Sequence, residues 1–167
     1  MYTLREAIRR RDCVRDGALA VSISAGACLY ALGAGSVQSV WLLWAGLFPL
    51  FVVVRACDYR GAGLYGGLWG LVQVILHAVG FTDTNLSLGS VCVLVAAPSF
   101  YSCLASRLTA SIGYSPFVLG VGWMGVELAL DQFGFSSARW VGTRGGVVVL
   151  HWVLNALGCV FGAFLAA

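Results

Sequence analysis

The sequence predicts an all-α integral membrane protein, a polytopic bundle of about six transmembrane helices with both termini on the cytoplasmic side. Three observations carry that prediction. The 167 residues are 60% hydrophobic and 10% charged, with a mean hydropathy of +0.89, against roughly 45–50% and ~25% for soluble domains. The apolar residues fall into runs of membrane length separated by short turns, which force antiparallel neighbours. All ten cations are arginines, and they collect on alternate connections. No stretch is polar enough to cover the core of a water-soluble domain, so a single transmembrane domain is expected.

Residues 1–16 form an arginine-rich cytoplasmic head. Residues 17–35 follow without a charge and are read as the first span. Ala25-Gly26-Ala27-Cys28 comes close to a lipoprotein cleavage box, which calls for a bulky aliphatic residue where Ala25 sits; an uncleaved helix is therefore expected. Further spans are predicted over about 40–54, 61–81, 86–106, 112–130 and 146–167. The second is the shortest, anchored at its start by Trp41 and Trp44 and carrying Pro49 as a source of a kink.

With the N-terminus inside, the cytoplasmic segments hold Arg5, Arg9, Arg10, Arg11, Arg15, Arg55, Arg60 and Arg107, and the outer segments only Arg139 and Arg144. That asymmetry favours an even number of spans, because one missed helix would scramble every loop after it. The formal charge of +3 thus speaks to orientation in a membrane and not to nucleic acid. Gly63-x-x-x-Gly67, Gly66-x-x-x-Gly70 and Gly158-x-x-x-Gly162 place small residues four apart, a spacing that lets helix backbones approach closely in lipid. The six cysteines, Cys13, Cys28, Cys57, Cys92, Cys103 and Cys159, show no C-x-x-C spacing, so neither a metal site nor a disulfide framework is expected.

Polar residues at membrane depth are the candidate site, since an ionisable group near the bilayer centre costs ~3 kcal/mol or more. Three pairs stand at i, i+4 and so share a helix face: Gln73 with His77, Glu127 with Asp131, and His151 with Asn155. At ~1.5 Å per residue, His77 and Glu127 lie ~5–6 Å below the outer helix ends, His151 ~8 Å, and Gln73 and Asn155 ~12–14 Å. All three pairs fall in the outer half of the bilayer. Two readings follow: the pairs satisfy one another and lock the bundle, or they line a polar cavity open to the outer leaflet and its lipid. Histidines 77 and 151, facing each other across ~10 Å, would have the alternative role of axial haem ligands. Arg139 or Arg144 could reach back to the Glu127–Asp131 pair as an anion contact, since desolvated carboxylates are normally paired. Glu127 is expected to face inward.

The segments WLLWAGLFPLFVVVR at 41–55, GAGLYGGLWGLVQVILHAVGF at 61–81, APSFYSCLASRL at 97–108 and PFVLGVGWMGVELALDQFGF at 116–135 follow one another in an order that resembles the membrane domain of bacterial apolipoprotein N-acyltransferase. Glu127 stands where that family has a glutamate, and Asp131 where it has an arginine. The family's catalysis uses a nitrilase-like domain with a Glu-Lys-Cys triad, whereas these residues include no lysine. The resemblance therefore implies a multi-pass protein of the bacterial inner membrane that binds phospholipid acyl chains or a lipidated partner. It would work with a separate catalytic chain or without catalysis, and no cofactor is implied. Other classes are a structural or haem- or pigment-holding subunit of a membrane complex, and a membrane cysteine transpeptidase resembling the exosortases, built on Cys92, Arg139 or Arg144, and His151.

Overall fold

A computed structural model describes residues 4–34, 40–79 and 86–132, together with Leu157, Val160 and Phe164. Among the described residues all regular structure is helical: α1 (Leu4–Ala34), α2 (Val40–Ala56), α3 (Tyr59–Ala78), α4 (Leu88–Ile112) and α5 (Pro116–Gln132). Leu157, Val160 and Phe164 are also helical.

The arginine-rich head is not a separate segment. From Leu4 onward it is the first part of α1, because its Leu, Arg, Glu and Ala are strong helix formers and no proline or glycine interrupts them before Gly17. α3 starts at its N-cap Asp58, whose carboxylate accepts the Gly61 N–H at 3.0 Å. It closes at Ala78, short of the predicted residue 81. α4 is capped by Ser87, which accepts the Ser90 N–H at 3.1 Å. It runs past the predicted residue 106 to Ile112 and stops where Gly113 takes φ 86°, a conformation that glycine adopts without strain. Ile112 therefore ends α4 rather than opening α5, which starts at Pro116, a residue suited to the first helical position.

Among the described residues two helices are long and apolar enough to cross a membrane, over Arg15–Gly33 and Leu88–Ile112, and about a third of each is buried inside the protein. α2 and α5, 17 residues each, are shorter apolar helices. Glycines, Gln73 and His77 dilute the hydropathy of α3. Large apolar side chains point outward from every helix, among them Val21, Phe48, Leu64, Phe100 and Phe117.

Glycine sets the closest helix contacts. α1 and α2 pack antiparallel through Gly26 and Gly46: a Cβ on Gly26 would lie 2.6 Å from the Gly46 carbonyl oxygen, and one on Gly46 would lie 2.5 Å from that of Gly26. α3 meets α4 antiparallel over the most extensive interface of the bundle. There a Cβ on Gly66 would run into the Pro98 carbonyl oxygen, and one on Gly70 into the Leu94 carbonyl oxygen. Pro98 lacks the N–H that would otherwise bond the Leu94 carbonyl within the helix, and this is the oxygen that lies against Gly70. Side chains stitch the bundle further by donating to backbone carbonyls of neighbouring elements. Ser99 donates to Gly63 O at 2.8 Å, Ser106 to Cys57 O at 2.9 Å, and Tyr101 to Leu119 O at 2.7 Å.

Among the described residues, four arginines gather at one end of the bundle. Arg15, Arg55, Arg60 and Arg107 share the end made by the α2–α3 turn, the C-terminal part of α4 and the polar boundary of α1. Arg15 donates to Ala56 O at 3.4 Å, the Arg107 guanidinium lies over the Tyr59 ring, and that of Arg55 lies over Tyr114.

Candidate functional site

At the centre of the bundle four aromatic rings meet edge to face, one from each of α1, α3, α4 and α5. Trp69 stands 4.9 Å from Tyr30 and 5.4 Å from Trp123, and Trp123 stands 5.2 Å from Tyr101. Edge-to-face pairs add ~0.5–1.5 kcal/mol each beyond the area they bury. The Tyr30 hydroxyl, the Trp69 indole N–H and the Ser102 hydroxyl are buried with no hydrogen-bond partner among the described residues.

Glu127 lies one turn beyond Trp123 on the same face of α5. It is 1% exposed and accepts the Trp123 indole N–H at 3.3 Å. The expectation that Glu127 turns inward agrees with this burial, and the face it occupies is the one that meets Trp69 of α3 through Trp123. Gln73 donates from Nε2 to the Ala27 carbonyl of α1 at 2.6 Å, a bond that ties α3 to α1. His77 Nδ1 lies 2.7 Å from the Gln73 carbonyl oxygen, so Nδ1 carries the proton and donates. The i, i+4 spacing does bring these two residues together, but through the Gln73 backbone. Its amide side chain is used across the helix interface. Asp131 falls within α5, while Arg139, Arg144, His151 and Asn155 lie outside the described residues. The Glu127–arginine contact, the His77–His151 pair and the cysteine–histidine arrangement are therefore not placed. Cys92 sits exposed on α4.

A cavity of about 320 Å³ opens along the seam between α4 and α5. Its α4 wall runs from Ala97 through Phe100 and Leu104 to Leu108, and its α5 wall from Val118 through Gly122 and Gly125 to Ala129. None of the polar residues singled out in the sequence lines it. α5 turns Trp123 and Leu130 into the core and sets Gly122, Gly125 and Ala129 along the seam. A Cβ on Gly125 would meet nothing within 4 Å. Another side of α5 is covered: a Cβ on Gly120 would lie 2.7 Å from the backbone nitrogen of Val160, so Val160 packs there. The signal for the groove is legible in retrospect as Ala97 and Ala105 on α4 opposite Gly122, Gly125 and Ala129 on α5.

Comparison with protein-family models, curated proteins and solved structures finds no match to this chain.

Proposed function

We propose that this protein is a multi-pass bundle of the bacterial inner membrane, with six spans and both termini inside, that holds a phospholipid acyl chain in the groove between α4 and α5. The groove carries the reading. It is apolar along both walls, it opens outward among the exposed side chains Phe100, Leu104 and Val118, and at about 320 Å³ it falls in the size range of ligand pockets. From Ala97 to Leu108 its α4 wall is ~16 Å long, close to one leaflet's share of a ~30 Å hydrocarbon core. The grouping of Arg15, Arg55, Arg60 and Arg107 at one end supports the N-in orientation, because cytoplasmic surfaces accumulate arginine.

The kinship we propose is with the membrane domain of apolipoprotein N-acyltransferase, and what supports it is where the shared residues fall. Gly66, Gly70 and Pro98 make the α3–α4 contact, and Glu127 is buried beside Trp123. In this reading the chain serves as a lipid-holding membrane unit for a catalytic partner or acts without catalysis, since the triad's lysine has no counterpart in it.

The test is to fill the groove. Leucine at position 125 meets open space and occupies the seam, so Gly125→Leu should leave the fold intact and cut the amount of phospholipid retained on native mass spectrometry from detergent. Equal retention by variant and parent would overturn the assignment of the groove to an acyl chain. A Soret or chlorophyll band in the purified protein would favour a pigment-holding subunit instead.

A further inference from the structure

Two arginines of the basic end converge on one ring. The Arg107 guanidinium carbon lies 4.4 Å from the centroid of Tyr59, and that of Arg60 lies 5.6 Å from the same centroid. Arg60 Nε also donates to the Tyr59 hydroxyl at 3.0 Å. Arg107 comes from α4 and Arg60 from α3, so a single aromatic side chain fastens guanidinium groups from two helices. Among the described residues neither arginine forms an ion pair. The nearby acids are engaged elsewhere: Asp16 accepts the Tyr65 hydroxyl at 3.3 Å, and Asp58 caps α3. Both arginines are exposed.

Their height matters as much as their spacing. From Leu88 to Arg107 α4 extends roughly 30 Å, the thickness of a bilayer's hydrocarbon core, and then continues beyond Arg107 to Ile112. In a bilayer whose far hydrocarbon boundary lies at Leu88, Arg107 stands at the level of the lipid phosphates. The next residue, Leu108, is the end of the α4 wall of the groove. A lipid whose tail follows that wall would bring its headgroup to Arg107.

We propose that Arg60 and Arg107, held on Tyr59, bind the phosphate of an anionic glycerophospholipid in the leaflet at the basic end. Guanidinium forks match phosphate oxygens bidentately, and a ring that restrains both forks in advance lowers the ordering cost of binding. Two exposed guanidinium groups with no carboxylate bonded to them favour an anionic headgroup over a zwitterionic one, whose own ammonium group would be brought toward them. The proposal rests on the membrane reading above but not on the acyl chain in the groove.

The ratio of two lipids isolates the headgroup. Delipidated protein is equilibrated with mixed micelles of phosphatidylglycerol and phosphatidylcholine bearing identical acyl chains, and bound lipid is counted by native mass spectrometry. We expect the parent to retain phosphatidylglycerol about 25-fold over phosphatidylcholine, about five-fold from each arginine. Arg60→Gln and Arg107→Gln should each lower that ratio by about five-fold, and the double variant should erase it while phosphatidylcholine retention, a reporter of intact fold, stays unchanged. Millimolar glycerol phosphate should not displace the lipid. Equal retention of the two lipids by the parent, a preference that survives the double variant, or displacement by glycerol phosphate would each overturn the proposal, the last by showing a free-anion site. Gly125→Leu reads the groove separately, through total lipid and not the ratio, so the failure of one assignment is distinct from the failure of the other.

Discussion

Replacing Gly70 by alanine adds one methyl group at the tightest point of the α3–α4 interface, and its effect follows from the geometry. The new Cβ would overlap the Leu94 carbonyl oxygen and lie 2.8 Å from the Val95 Cα, where ordinary contact needs ~3.5–4.0 Å. Both obstacles are backbone, so the helices must part by about 1 Å, and a gap of that size forfeits a quarter to a half of each affected dispersion contact. Overpacking costs ~1–3 kcal/mol. The better helix propensity of alanine returns ~1 kcal/mol. A net loss of about 1 kcal/mol is expected. Gly125→Ala is the control: its Cβ meets nothing within 4 Å, so propensity alone should stabilise it by up to ~1 kcal/mol. Reversible unfolding by dodecyl sulfate in mixed micelles, followed through the fluorescence of the buried Trp69 and Trp123, measures both. If Gly70→Ala matched Gly125→Ala to within ~0.5 kcal/mol, close backbone contact at Gly70 would not be what holds α3 to α4.

Two further predictions concern the polar core and the orientation. Glu127→Ala should destabilise the protein by ~1–3 kcal/mol more than Glu127→Gln, because glutamine keeps an acceptor for the Trp123 indole and alanine leaves that donor buried without one; equal thermal stability in detergent would mean that the carboxylate's burial is not stabilised by that bond. In a background without the native cysteines, a cysteine at position 83 or 136 should react with an impermeant reagent from outside intact cells and one at position 59 only after permeabilisation, and the reverse pattern would refute the N-in orientation. With the native cysteines restored, Cys57 should label slowly at neutral pH and faster as the pH rises, since burial, only partly offset by Arg15, pushes its thiol above the usual range.

The polar positions were legible in the sequence because lipid makes them expensive. Gln73, His77 and Glu127 have no comfortable place on a lipid-facing surface, and all three are buried. The aromatic cluster and the groove were not legible. In a water-soluble helix the contrast between apolar and polar faces marks the core, but here Leu64 is 77% exposed while Trp69, five residues on, is 1% exposed. Both are apolar, so periodicity carries no contrast. Glycine spacing replaces it in part: Gly66 and Gly70 face α4 as their four-residue spacing suggests, whereas Gly26 and Gly46, which bring α1 against α2, belong to no such pair. Hydropathy alone opens the fifth span at Ile112, whereas that residue ends α4. The geometry is decided instead by Gly113 and Pro116, two residues whose preferences are conformational and not hydropathic.

The four-ring cluster bears on how the protein is made. Tyr30, Trp69, Tyr101 and Trp123 come from four helices spread over more than half of the chain, whereas the glycine contacts join α1 to α2 and α3 to α4, helices adjacent in sequence. Local pairs form before distant ones because less chain entropy is lost in closing them. During synthesis two helical hairpins can thus be complete, and already joined through the Tyr30–Trp69 contact and the Gln73–Ala27 bond, before Trp123 arrives. α5 then closes the cluster, because Trp123 is the ring that meets both Trp69 and Tyr101. Loss of the fifth helix would leave the three earlier rings without that common neighbour.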